Sequence, residues 1–225
     1  RDARLDRKVA LKVLPDRVAK DPSALARFER EAKALAALNN PAILSIHDFG
    51  TAGELAFAVM ELLEGETVRE ALKQGPLLPR RVAELGAEAA RGLAAAHEKG
   101  LIHRALKPEN LFLTAAGTLK ILDFGLAKSM LPASSDKASE PGLTGGLDGP
   151  TLALGHGLAS ALTQEGVLLG TMGYFAPEQI RGLAPDSRAD LFTLGIVLYE
   201  CLVGERPFKG GTNFEVLSAI LKDEV

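Results

Sequence analysis

The stretch His103 to Asn110 (HRALKPEN) packs two cations, an imidazole, a carboxylate and an amide into eight residues. It follows a run with helical spacing and precedes the apolar Leu111-Phe112-Leu113. Such a concentration of polar groups in one loop between regular elements is typical of a binding or catalytic site. The third position of the stretch, where a reactive group would be expected, is Ala105.

A second polar turn, Asp123-Phe124-Gly125, stands thirteen residues after Asn110. It ends a predicted strand, Leu119 to Leu122, which belongs to a short hairpin around Ala116-Gly117. This turn has two interpretations. It is a simple turn after a strand, or it is a functional group placed across a hairpin from Asn110.

The first sixty residues predict a small sheet with one helix. Val9 to Leu14 (VALKVL) is a β-branched, apolar strand with one charge, Lys12, set into it. Asp21-Pro22 is typical of a helix start, and two more strands are predicted near Ala42 to Phe49 and Leu55 to Met60. The apolar stripe of the predicted helix consists of Leu25, Phe28, Ala32, Leu35 and Leu38.

The remainder is mainly helical, so the sequence predicts an α+β fold with two lobes. Residues 1–60 form the small lobe, and residues 61–225 form a connector, at Glu61 to Gly65, and a larger helical lobe. Leu191 to Val203, the longest apolar run at about 13 residues, is too short for a membrane span and predicts a buried core helix. Small and apolar residues without a period dominate about Ser129 to Gly166, which indicates a flexible insertion.

Composition limits the functional classes. The chain has 225 residues, 47% of them hydrophobic and 24% charged, with a formal net charge of −3. The absence of a basic block argues against nucleic-acid binding, and the single Cys201 excludes an internal disulfide and fits a reducing compartment. With no signal peptide at its start, the chain is expected to be cytoplasmic, with a membrane tether outside this segment left open.

Four motifs in order carry a family resemblance: VALK (Val9 to Lys12), HRALKPEN, DFG (Asp123 to Gly125) and APE (Ala176 to Glu178). In this order and context they resemble the eukaryotic-like protein kinases. The stretches GTMGYFAPEQIRG and DLFTLGIVLYECLVGERPF are similar to bacterial serine/threonine kinases in particular. The resemblance covers essentially the whole chain outside the insertion and implies a two-lobed kinase fold, ATP and Mg²⁺ as ligands, and a protein substrate or regulatory protein partner in signalling.

The resemblance also implies individual roles. Lys12 would contact the α- and β-phosphates of ATP, held there by Glu31; the alternative is that Lys12 extends into solvent from an edge strand. Lys107 would reach the γ-phosphate. Asn110 and Asp123 would hold Mg²⁺, which prefers a few hard oxygen ligands. The KPEN sequence and Thr171 favour Ser or Thr hydroxyls as acceptors.

The adenine side of the implied site depends on small and backbone groups. Ala10 would leave room for the flat base, and the connector from Met60 to Leu63 would bind its edge through the backbone at Glu61 and Leu63. Phe112 completes the implied nucleotide-binding set.

Two further roles follow from the same resemblance. Arg104 would meet a phosphate on the long segment between Asp123 and Glu178, where Thr144, Thr151, Ser160 and Thr163 are candidates for modification. Asp190 would brace the backbone of the HRALKPEN loop; the alternative, which is compatible with this role, is that it caps a helix.

Ala105 departs from the family pattern, because it stands where these kinases carry the catalytic aspartate. A methyl group neither orients the acceptor hydroxyl nor takes its proton, and general-base catalysis of this kind contributes roughly 10²–10⁴-fold. No glycine-rich phosphate loop precedes Lys12, and the chain stops before the last helices of the family's larger lobe. We therefore expect a fragment of a longer kinase domain.

Two functional classes remain open from the sequence. The first is an enzyme, a serine/threonine kinase with low activity or with a rescuing carboxylate brought from elsewhere. The second is a pseudokinase that binds nucleotide and recruits a partner. A small-molecule phosphotransferase of the aminoglycoside-kinase type is disfavoured, because those enzymes lack an APE-type peptide-docking segment.

Overall fold

The computed structural model describes residue 2 and residues 5–53, 55–124 and 172–222, and for residues 17 and 18 it describes the backbone alone. The insertion predicted at about 129–166, the candidate phosphorylation sites in it, Gly125 and Thr171 lie outside these ranges. The strands are β1 (Val9–Val13), β2 (Ile46–Ala52), β3 (Leu55–Glu61), β4 (Gly65–Thr67), β5 (Leu111–Thr114) and β6 (Leu119–Ile121). The helices are α1 (Asp16–Ala19), α2 (Pro22–Ala36), α3 (Val68–Leu72), α4 (Pro79–His97), α5 (Pro177–Ile180), α6 (Ser187–Val203) and α7 (Asn213–Lys222).

The first part of the chain is an antiparallel sheet in the order β1-β3-β2 with α2 packed against it. The register places Lys12 opposite Ala58. The strand predicted from Ala42 begins later, at Ile46, because the preceding residues bond to the larger lobe. Ile121 N–H donates to Ala42 O at 2.7 Å, and Leu44 N–H donates to Ile121 O at 3.0 Å.

Helix α2 begins where the sequence predicts. The Asp21 carboxylate accepts a hydrogen bond from Ser23 N–H, and Pro22 is the first helical residue. Of the predicted stripe, Phe28, Ala32 and Leu35 are buried. Leu25 and Leu38 pack at the edge of the core, and Ala24 is buried instead.

The second part is mainly helical, with a small antiparallel sheet in the order β4-β5-β6. The predicted hairpin around Ala116-Gly117 is confirmed by β5 and β6. Strand β4 was not predicted; it has three residues and leads directly into α3. A capping box joins Thr67 and Glu70 at the start of that helix.

Helix α6 is the predicted core helix. Asp186 caps its start through Arg188 N–H, and Gly204, with φ of 86°, ends it. Ile196 and Val197 are buried in the core, and α6 packs against α4. Within the described ranges, no helix combines the length and the hydropathy that crossing a bilayer requires.

The small β4-β5-β6 sheet gives a prediction on stability. Gly65 has φ of 141°, and a Cβ there would lie 2.0 Å from the carbonyl oxygen of Leu113. We expect Gly65→Ala to lower the free energy of unfolding by about 2–4 kcal/mol, because it adds a clash to the strain of a positive φ. Gly53→Ala is the control: Gly53 has φ of 60° but open space around it, so about 1–2 kcal/mol is expected. Equal losses in urea unfolding would contradict the close approach at Gly65.

Candidate active site

Lys12 and Asp123 meet between the two parts of the chain. The ammonium group of Lys12 on β1 donates to Oδ1 of Asp123, which follows β6. Their side chains are 26% and 37% exposed, so the pair lies in a cleft that solvent reaches. Lys12 therefore does not extend from the sheet edge into solvent, and a cation and a carboxylate from different lobes face one space.

Glu31 lies on α2. It lines a cavity together with Leu35, Arg104 and Phe124. Among the described residues, the ion pair of Lys12 joins it to Asp123 rather than to Glu31. The pairing of Glu31 with Lys12 stays a prediction.

Asn110 is held by the loop that contains Ala105. Its side-chain Nδ2 donates to Ala105 O at 2.9 Å, and its backbone oxygen accepts from Leu122 N–H at 2.8 Å. The second bond ties Asn110 to the residue before Asp123. Because the amide nitrogen is used in the loop, the Oδ1 atom is the side-chain group left for a cation.

The turn around Asn110 also contains Lys107 and Glu109. Lys107 is half-buried and immediately precedes the 3₁₀ turn Pro108–Asn110. Glu109 accepts a hydrogen bond at 2.8 Å from Arg69 Nε through its Oε1. That bond ties the carboxylate of Glu109 to α3.

Asp190 braces the HRALKPEN loop, as predicted. Its buried carboxylate accepts hydrogen bonds from His103 N–H and Arg104 N–H, each at 2.8 Å, and from His97 Nε2 at 2.7 Å. The alternative role of helix cap is wrong, because Asp186 caps α6. Arg104 and Asp123 have φ of 67° and 56°, a strained conformation for residues other than glycine that surrounding contacts must maintain.

His103, the first residue of the HRALKPEN loop, is fully buried. Its Nε2 donates to Leu122 O at 2.8 Å, and its Nδ1 accepts from Ala105 N–H at 3.3 Å. Its ring meets Phe124 edge-on, with 4.8 Å between the ring centroids. Burial lowers the pKa of His103, and the two hydrogen bonds fit one neutral tautomer.

This burial predicts a pH dependence. A depressed histidine pKa gives stability that is present above the ordinary value of about 6.5 and is lost as the pH falls toward the folded-state value. We expect the free energy of unfolding to decline below pH 6.5, at up to about 1.4 kcal/mol per pH unit from this group. His103→Gln can still donate to Leu122 O but does not titrate, so the decline should be shallower. Parallel curves for the two proteins between pH 7 and 5 would contradict this assignment.

The structure brings together only some of the residues that were predicted to bind adenine. Ala10 lies opposite Met60 in the β1-β3 register. Met60 and Asp123 line one cavity, together with Ile46, Ile121 and Phe124. Leu63 and Phe112 are half-buried on the connector and on β5, and neither lines that cavity. Their roles stay predictions.

The start of the connector carries contacts that sequence reasoning missed. Glu61 Oε1 accepts from Lys120 Nζ and from Ser45 N–H, both at 2.7 Å. Partial burial opposes ionisation of Glu61, but these hydrogen bonds hold its pKa below its ordinary value. Lys120 stands in a short strand without any motif of its own, so the sequence offered no signal for this pair.

Gln179 was missed as well. It follows the APE motif on α5, and its Nε2 donates to Arg104 O at 2.9 Å. Its Oε1 accepts from Ala176 N–H at 2.9 Å. Gln179 thus attaches the segment after the insertion to the backbone beside Ala105.

These features define a protein kinase domain, and comparison with known proteins agrees. The family model described as protein kinase domain matches residues 1–224. The chain belongs to this family.

Its relatives include bacterial serine/threonine kinases. It is 40% identical over 216 residues to the serine/threonine-protein kinase PknL of Mycobacterium tuberculosis, which covers 96% of this chain and 47% of that protein. It is 38% identical over 221 residues to PknB of Mycobacterium tuberculosis and of Mycobacterium leprae, covering 96% of this chain and 31% of each relative. The chain thus spans half or less of the length of these relatives.

Proposed function

We propose that this chain binds ATP with Mg²⁺ between Lys12 and Asp123 as a serine/threonine kinase-like domain, and that Ala105 leaves its phosphotransfer severely reduced. The observation that supports the proposal best is the contact of Lys12 with Asp123, which brings two distant motif residues to one cleft. The related bacterial proteins PknL and PknB are named serine/threonine-protein kinases. Their names favour Ser and Thr hydroxyls as acceptors here.

The residues present fit a nucleotide and a magnesium ion. Lys12 supplies a fixed ammonium for phosphate oxygens, and Lys107 adds a second cation beside the turn of Asn110. The Asp123 carboxylate and the Asn110 Oδ1 atom are hard ligands that suit Mg²⁺. Such a cation, when bound, neutralises charge on the phosphates as the γ-phosphoryl group moves. Among the described residues there is no cluster of three or more His, Cys, Asp or Glu for a metal, and Mg²⁺ would need only one or two oxygen ligands from the protein.

Glu109 is poorly placed to replace the missing base. Ala105 offers a methyl group where an acceptor for the hydroxyl proton is needed, and the nearest carboxylate in the loop belongs to Glu109. That carboxylate is bonded to Arg69. Positioning and charge neutralisation remain, so a slow residual transfer is expected rather than none.

A second candidate is a pseudokinase, in which nucleotide binding controls a contact with a regulatory protein. The pairing of Glu109 with Arg69 favours it, because that ion pair ties the carboxylate of Glu109 to α3. The two candidates share the nucleotide site and differ in the rate of transfer.

Thermal denaturation with and without ATP tests the nucleotide site. At about 100 times the Kd, ATP with Mg²⁺ should add about 2.7 kcal/mol, which raises Tm by several degrees. Asp123→Asn should lose the part of the rise that depends on Mg²⁺, whereas Asp16→Asn, at a largely exposed position, should keep it. If ATP with Mg²⁺ leaves the Tm of the natural protein unchanged, the proposed site is wrong.

A further inference from the structure

Arg69 joins three other parts of the larger lobe. From α3, its Nε donates to Glu109 at 2.8 Å, one terminal nitrogen donates to Glu200 at 2.8 Å, and the other donates to the Tyr174 hydroxyl. Tyr174 in turn donates to the second oxygen of Glu200 at 2.6 Å. We call these four residues the Arg69 network.

The network connects both sides of the candidate site. Glu109 precedes Asn110, whose backbone oxygen accepts from the residue before Asp123. Tyr174 ends the 3₁₀ turn Met172–Tyr174, two residues before the APE motif. Glu200 lies on the core helix α6, and its side chain is 7% exposed. Arg69 is thus bonded to a buried carboxylate and contacts both turns.

The chemistry of the network favours arginine over lysine. A guanidinium group presents several N–H donors in a planar fork, whereas an ammonium is a compact point charge. Burial opposes protonation of Arg69, but hydrogen bonds from its guanidinium to Glu200 and Glu109 raise its pKa. Burial and the neighbouring Glu200 raise the pKa of Tyr174, so its hydroxyl stays protonated and able to donate.

We propose that Arg69 is a positioning residue for phosphotransfer, which holds the Asn110 turn in register with the Met172–Tyr174 turn that leads to the peptide-docking segment. This proposal rests on the proposed function, since the register matters only if phosphate moves from a nucleotide beside Asn110 to a hydroxyl presented from the Tyr174 side. It assigns Arg69 no contact with either substrate.

The first test is kinetic and uses the protein with Ala105→Asp, in which transfer is expected to be measurable. Arg69→Lys keeps the charge but cannot make all three contacts, so kcat should fall by roughly tenfold or more. The Mg²⁺ concentration for half-maximal rate should rise by a similar factor, while the KM for ATP changes by less than about twofold. The matched control is Arg80→Lys, because Arg80 is 93% exposed and pairs with Glu84 alone among the described residues.

Glu109→Gln is a second variant that distinguishes lost positioning from unfolding. The side chain of Glu109 is 43% exposed, so its substitution should disturb the fold little. This variant should also lower kcat and raise the Mg²⁺ concentration for half-maximal rate, with little change in the KM for ATP and little loss of stability. The proposal is overturned if Arg69→Lys and Glu109→Gln match Arg80→Lys in all three parameters at a temperature where every variant is folded. It is also overturned if the rate falls only in proportion to the folded fraction.

The second test does not depend on activity, so it separates failure of this inference from failure of the proposed function. The amide of Asn110, bonded to Lys107 O at 2.9 Å, reports on the turn by hydrogen exchange. Tyr174→Phe should speed exchange at this amide several-fold in the natural protein, and should have no further effect in Arg69→Lys. An unchanged Asn110 amide in Tyr174→Phe would overturn the coupling even if the protein is an active kinase.

Discussion

Replacing Ala105 with aspartate is expected to raise the rate of phosphotransfer by roughly 10² to 10⁴-fold. The rest of the loop is already in place, since Asn110 Nδ2 is bonded to the Ala105 carbonyl and Ala105 N–H to His103. A carboxylate on this backbone therefore enters a loop that needs no rearrangement. The measurement is transfer of radiolabelled phosphate from ATP to a generic basic protein substrate.

The control is Ala116→Asp, which places the same side chain on an exposed hairpin turn and should leave the rate unchanged. Equal and robust transfer by the natural protein and by Ala105→Asp would show that the base is dispensable. It would also exclude the pseudokinase interpretation.

The second large effect concerns Asp190. Asp190→Asn keeps the size of the side chain but removes the charge and places an amide nitrogen against a backbone N–H donor or the His97 ring. Three hydrogen bonds converge on this buried carboxylate, and bonds to a charged group contribute about 1.5–3 kcal/mol each. We expect the free energy of unfolding to fall by about 3 kcal/mol or more, with loss of the positive φ at Arg104.

Asp186→Asn on the same helix is the matched control. Asp186 caps α6, and asparagine caps as well as aspartate, so a change within about 0.5 kcal/mol is expected. Urea unfolding of the two variants compares the loss of the Asp190 hydrogen bonds with the loss of charge at the helix cap Asp186. Similar losses for both would argue that Asp190 acts through the helix rather than through the HRALKPEN loop.

The sequence predicted the fold well where local signals were strong. Lys12 in an apolar strand, the Asp21-Pro22 helix start and the hairpin at Ala116-Gly117 each have a local physical cause, and each is found. Element boundaries were less accurate, as at Ala42 to Ser45. Ala42 and Leu44 bond to Ile121 of β6 instead of continuing β2, and a contact that distant in sequence leaves no local pattern.

The same limit applies to the candidate site. The motif residues could be named because each stands in a recognisable stretch, and the structure brings Lys12, Asn110 and Asp123 to one region. Arg69 and Lys120 could not be named. Arg69 meets a partner 131 residues away, and nothing in the spacing of α3 distinguishes it from a solvated helix residue.

We propose that Lys12 and Asp123 serve one triphosphate. A crystal structure of the protein with Mg²⁺ and a non-hydrolysable ATP analogue measures this directly. We expect phosphate oxygens within hydrogen-bond distance of Lys12 Nζ and a magnesium ion on the carboxylate of Asp123. A nucleotide bound elsewhere, with Lys12 still paired to Asp123 and no ion beside them, would contradict it.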